Sequence, residues 1–65
     1  MNNTYEVALK AVQMGKRIIN EIAIESNTFG EFEKKAKSDM RLKKIFKRDE
    51  LNHAIQQVTK FDNID

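Results

Sequence analysis

Glu50-Leu51-Asn52-His53 has the spacing with which helical bundles hold paired metal ions, a carboxylate and an imidazole three residues apart on one helix face. Such centres need a second pair and further glutamates, yet His53 is the only histidine. Glu21 and Glu25 could add oxygen ligands, but one histidine without any cysteine is a weak donor set. The expectation is therefore an exposed polar helix face with no metal and no cofactor. Catalysis finds no better footing. There is no thiol nucleophile, no second histidine to share acid and base roles, no glycine-rich phosphate loop, and no serine in a nucleophile-like context. A chain of 65 residues is also short for enclosing a pocket of about 300 Å³ or more. The sequence predicts a protein that is not an enzyme.

The second chemical feature is charge. Residues 34–48 hold eight basic side chains (Lys34, Lys35, Lys37, Arg41, Lys43, Lys44, Lys47 and Arg48) against the single acid Asp39, a balance of +7. The flanks are acidic, −2 over residues 1–33 and −3 over residues 49–65, so the net charge of +2 conceals a segregated block. On one straight helix, Lys34, Lys37, Arg41, Lys44 and Arg48 would form a stripe able to follow nucleic-acid phosphates. A break inside the block would split that stripe. The favoured reading is a solvated face, or one that docks on an acidic protein surface, with direct nucleic-acid binding as the alternative.

The elements that position these groups are helical. Proline is absent, only two glycines occur, and 40% of residues are apolar, which together predict an all-α, single-domain chain of three or four helices. Asn3 with Glu6 has capping-box spacing, and helix 1 is expected from Thr4 to Glu25. Ser26-Asn27-Thr28 breaks it, and Thr28 with Glu31 caps a second helix opening at Phe29. Phe29, Phe32, Ala36 and Met40 share one face of that helix, whereas Leu42, Ile45 and Phe46 share another. A phase slip at Ser38-Asp39 reconciles the two, with a short third helix over 39–47. Asp49 is expected to cap a last helix over 49–60, with Leu51, Ala54, Ile55, Val58 and Phe61 inward, and residues 63–65 are expected to fray.

Helix 1 organises the rest. Its apolar residues span roughly 220° around the axis, about twice the stripe an ordinary surface helix needs. Such an arc predicts two burial partners, one of them outside this chain. Tyr5, Val7, Ala8, Ala11, Val12, Met14, Gly15, Ile18, Ile19 and Ile22 are the candidate partner-binding residues. Tyr5, Val12 and Ile19 lie on one flank of the arc, with Val7, Met14 and Ile18 on the other. Gly15, with Ala8 and Ala11, forms a patch of small side chains on which helix 3 or 4 is expected to pack closely. A partner backbone docking there is the alternative.

No run of 18 or more apolar residues occurs, and the opening residues lack the basic-then-apolar order of a signal peptide. Neither a membrane span nor a disulfide is expected, and the expected location is cytoplasmic.

The run from Asn3-Thr4-Tyr5-Glu6 through Lys16-Arg17-Ile18 resembles the start of the omega subunit of bacterial RNA polymerase. Ser38-Asp39-Met40-Arg41-Leu42-Lys43-Lys44-Ile45-Phe46 is similar, with one extra residue, to a Ser-Asp-x-Leu-x-x-Ile-Phe run of one branch of that family. The family's lysine-arginine pair falls here at Gln13-Met14, and its later proline-led helix is missing or reduced to residues 50–58. The resemblance implies a non-catalytic accessory subunit whose helix packs on a large polymerase subunit and assists assembly. Two alternatives stand beside it. One is a small basic nucleic-acid-binding regulator, a homodimer through the spare arc of helix 1. The other is a phage- or host-encoded inhibitor that fills another protein's groove.

Overall fold

The computed structural model describes residues 3–62, with side chains from Tyr5 onward. Four helices follow one another: α1 (Asn3–Ile24), α2 (Phe29–Ser38), α3 (Met40–Ile45) and α4 (Arg48–Gln56). The described residues contain no strand. α1 already includes Asn3, the expected cap, whose side chain lies outside what is described, as do residues 63–65 with their expected fraying.

Local chemistry explains each boundary. At the end of α1, the Ser26 hydroxyl turns back to donate to the Ile22 carbonyl at 2.7 Å, and Ser26 is fully buried there. At the start of α2, Thr28 Oγ1 accepts from the Glu31 amide at 3.1 Å. The Glu31 carboxylate in turn accepts from the Asn27 amide at 3.0 Å, one residue before the usual capping-box partner. The phase slip falls at Asp39, whose extended backbone ends α2 while its Oδ1 accepts from the amides of Arg41 (2.8 Å) and Leu42 (3.2 Å) to open α3.

α1 runs Asn3–Ile24 rather than 4–25 and α3 Met40–Ile45 rather than 39–47, and both boundaries of α4 move as well. α4 opens at Arg48, with Lys47 rather than Asp49 at the cap. The Glu50 carboxylate accepts from the Lys47 amide at 2.8 Å, and the Leu51 amide reaches the Lys47 carbonyl at 2.8 Å. α4 also ends at Gln56, because residues 58–61 turn back toward α1 and α2. Met40 differs from its expected place as well. The bend at Asp39 rotates it off the inner face, and it is 64% exposed.

The core comprises Ile18, Ile19, Ile22 and Ala23 of α1, Phe32 and Ala36 of α2, Leu42 of α3, and Leu51 and Ile55 of α4. Each fully buried Leu, Ile or Phe contributes about 1.5–3 kcal/mol. Phe61, beyond α4, stacks on Phe32 (centroids 5.4 Å apart, planes 21°) and meets Phe29 edge-on at 5.9 Å. Its neighbour Lys60 reaches the end of α1, where the ammonium donates to the carbonyls of Ala23 (2.6 Å), Ile24 (3.3 Å) and Ser26 (2.7 Å). The cation thus supplements the carbonyls at the negative end of the helix dipole, where the Ala23 carbonyl also accepts from the Ser26 amide at 3.1 Å.

Candidate functional site

α1 divides along its length rather than around its axis. From Gly15 to Ala23 its inward residues are covered by α2, α3 and α4, whereas residues 5–10 are all exposed. At about 100° per residue, Val7, Ala11, Ala8, Val12 and Tyr5 continue the same side that Ile18, Ile22, Gly15 and Ile19 present to the core. The apolar face therefore runs past the end of the bundle, where no other helix meets it. Exposure is 67% at Tyr5, 65% at Val7, 44% at Leu9 and 59% at Met14. The residues from Asn3 to Lys10 project by about 12 Å, in keeping with overall dimensions of 48 × 22 × 19 Å.

The candidate partner-binding residues thus separate into two groups. Gly15, Ile18, Ile19 and Ile22 are buried by the chain's own helices and present no surface to a partner. Tyr5, Val7, Ala8 and Met14 are exposed, and Ala11 and Val12 are half-buried at the boundary. Leu9 belongs with the exposed group and was not among the candidates; its place at the edge of the arc gave it no priority in sequence. Gly15 is the point of closest approach between α1 and the end of α3. A Cβ there would lie 2.4 Å from Phe46 Cε2 and 2.7 Å from Phe46 Cζ, so only glycine admits the ring where it sits. The expected close packing of helix 3 on the small-residue patch is therefore met at Gly15, whereas Ala8 is exposed and Ala11 only half-buried.

All eight basic residues of the 34–48 block are exposed. Three engage acids: Lys35 with Glu31 (3.0 Å), Lys37 with Glu33 (3.0 Å), and Arg41 with Asp39 (2.8 Å). Lys34, Lys43, Lys44, Lys47 and Arg48 have no ion-pair partner among the described residues. The Asn27 amide, followed by Lys35, holds the Glu31 carboxyl below its usual range. The Arg41 guanidinium, aided by the Leu42 and Arg41 amides, lowers Asp39, and Asp39 in turn raises Arg41.

The break at Asp39 splits the straight stripe but gathers part of the block elsewhere. Lys37, Lys43, Lys47 and Arg48 surround a cleft of about 540 Å³ between the end of α2, α3 and the start of α4. Phe46 and Leu51 supply its apolar surface, Asn52 adds an amide, and no carboxylate among the described residues lines it. Sequence spacing does not reveal this cleft, because its cations come from three elements joined by two bends.

Glu50 and His53 border a second, open groove between α1 and α4, with Val12, Ile19, Ala54 and Val58 along it. Glu50 accepts from the Lys47 amide, and His53 Nε2 lies 3.4 Å from Gln57 Nε2. Among the described residues no three metal-ligating side chains of the His, Cys, Asp and Glu types converge. Nor is any helix among them long and apolar enough to cross a membrane. Comparison with protein-family models, with curated proteins and with solved structures finds no match for this chain.

Proposed function

We propose that this chain is a small non-enzymatic adaptor of the cytoplasm that docks on a larger protein through the projecting end of α1. The observation that carries the reading is the exposure of Tyr5, Val7, Leu9 and Met14 on the projecting end of α1, where Tyr5 and Val7 bound the side continuous with the core, Leu9 and Met14 flank it, and none of the described residues covers it. Burying the exposed parts of these four side chains would contribute about 5 kcal/mol before the costs of association. An omega-like accessory role on RNA polymerase is the most concrete version. It is supported by the resemblance at residues 3–18, which coincides with the projecting segment.

The test is titration of the labelled chain against purified bacterial core RNA polymerase, alongside co-purification from the native source with mass identification of the companion. Val7→Asp and Leu9→Asp alter exposed side chains and are expected to leave the thermal midpoint unchanged. Each is expected to weaken partner binding by about tenfold or more, since a buried unpaired carboxylate costs well over 1.4 kcal/mol. A partner bound equally well by wild type and both variants defeats the proposal. So does a purified dimer that Leu9→Asp turns into a monomer, because the face would then belong to a second copy.

A further inference from the structure

Four cations of a +7 block converge on one concave surface, and adaptor docking through α1 makes no use of them. Lys37 comes from the end of α2, Lys43 from α3, Lys47 from the bend and Arg48 from the first position of α4. Lys43, Lys47 and Arg48 have no acidic partner among the described residues. Lys37 is held only by Glu33, in an exposed pair of the kind worth about 0–1 kcal/mol, readily exchanged for another anion. Like charges gathered around a cleft repel one another, and the described residues provide no carboxylate inside it to relieve this.

We infer that this cleft binds the phosphodiester backbone of single-stranded nucleic acid. A strand brings one anionic charge per nucleotide to these four cations, and the half-buried Phe46 ring, its Cε2–Cζ edge against Gly15 of α1, supplies part of the apolar wall beside them. Cations around a concavity with an apolar wall suit an extended single strand. Duplex reading requires an element that projects into a groove, whereas α3 has six residues and is flanked by bends. An acidic protein surface would need no concavity and no ring. The cleft lies on α2–α4, apart from residues 5–14 of α1, so the inference stands independently of the docking proposal.

The test is anisotropy of a labelled oligothymidylate of about 15 nucleotides, of the order of one site, titrated with the intact chain across a salt series. Four phosphate contacts give a log–log slope of about −2.8, a loss of about 50-fold in affinity between about 50 and 200 mM salt. Lys43→Gln with Lys47→Gln leaves two contacts, lowering affinity at low salt and reducing that loss to about sevenfold. Lys10→Gln with Lys16→Gln removes the same net charge from α1 and should preserve the wild-type slope, as should Leu9→Asp. The inference is overturned by absence of binding at about 50 mM salt, or by a slope that the cleft variants leave unchanged. It is overturned equally by tighter binding to a duplex of matched sequence, or by a polyglutamate peptide that competes as well as the oligonucleotide.

Discussion

Gly15→Ala separates a local preference from a tertiary constraint. In an isolated helix the change is worth about 1 kcal/mol in favour of alanine. Here the added methyl would overlap the Phe46 ring, with approaches of 2.4 and 2.7 Å, and would also crowd Ile45 Cγ2 at 3.2 Å. Approaches below about 3 Å force the ring or the helix to move, and overpacking of this kind costs about 1–3 kcal/mol. Taking about 2 kcal/mol for the overlap, Gly15→Ala should destabilise the wild-type chain by about 1 kcal/mol. In a domain of this size that lowers the thermal midpoint by about 4–8 °C. Phe46→Leu removes Cε2 and Cζ, the two ring atoms responsible, while keeping a branched apolar side chain against the core. In that background Gly15→Ala should stabilise by about 0.5–1 kcal/mol, the Ile45 contact withholding part of the helix preference. The double-mutant cycle therefore predicts a coupling of about 1.5–2 kcal/mol, read from urea unfolding followed by circular dichroism. Stabilisation of about 1 kcal/mol by Gly15→Ala in both backgrounds would refute the close approach of α3 to α1.

Asp39→Ala removes the acceptor for the Arg41 and Leu42 amides and should cost about 1 kcal/mol in urea unfolding, with Asp39→Asn retaining most of the cap. The folded Asp39 and Glu31 carboxyls both titrate below their usual values. Their stabilisation is therefore complete above the unfolded values near about pH 4 and is lost as pH falls through the folded ones. Melts from neutral to acid pH should show that loss, and Asp39→Asn should flatten its share. Lys60→Met keeps the apolar stem but withdraws the ammonium from three carbonyls at the end of α1, for an expected loss of about 1.5–3 kcal/mol. An unchanged melting midpoint in that variant would count against the Lys60 cap. Faster amide exchange confined to residues 22–26 would instead place the effect at the helix end, as expected.

Much of the fold was legible because its signals are local. Thr28 and Glu31 announce a helix start through side chains that reach amides within three or four residues. The mismatch in phase between Phe32-Ala36 and Leu42-Ile45 required a break, and Asp39 was the residue able both to end one helix and to cap the next. Leu51 and Ile55 lie inward as their spacing dictates. The same local reasoning misplaced the start of α4. Asp49 is the better intrinsic cap, but Glu50 bonding back to Lys47 begins the helix earlier.

The width of the apolar arc on α1 showed, from sequence alone, that the helix has more to bury than a surface helix needs. Periodicity is an angular measure, and on that basis the excess looked like two flanks. Only the tertiary structure decided that α2–α4 cover one end, leaving the surplus along the axis at residues 5–14. Length is the physical reason. Twenty-two residues of α1 extend about 33 Å, whereas the later helices have 10, 6 and 9 residues and cannot cover it. Composition likewise identified a basic block, but its division into paired lysines and a cleft depended on the bends at Asp39 and Lys47. Those bends bring together charges that a straight helix would have kept in a line.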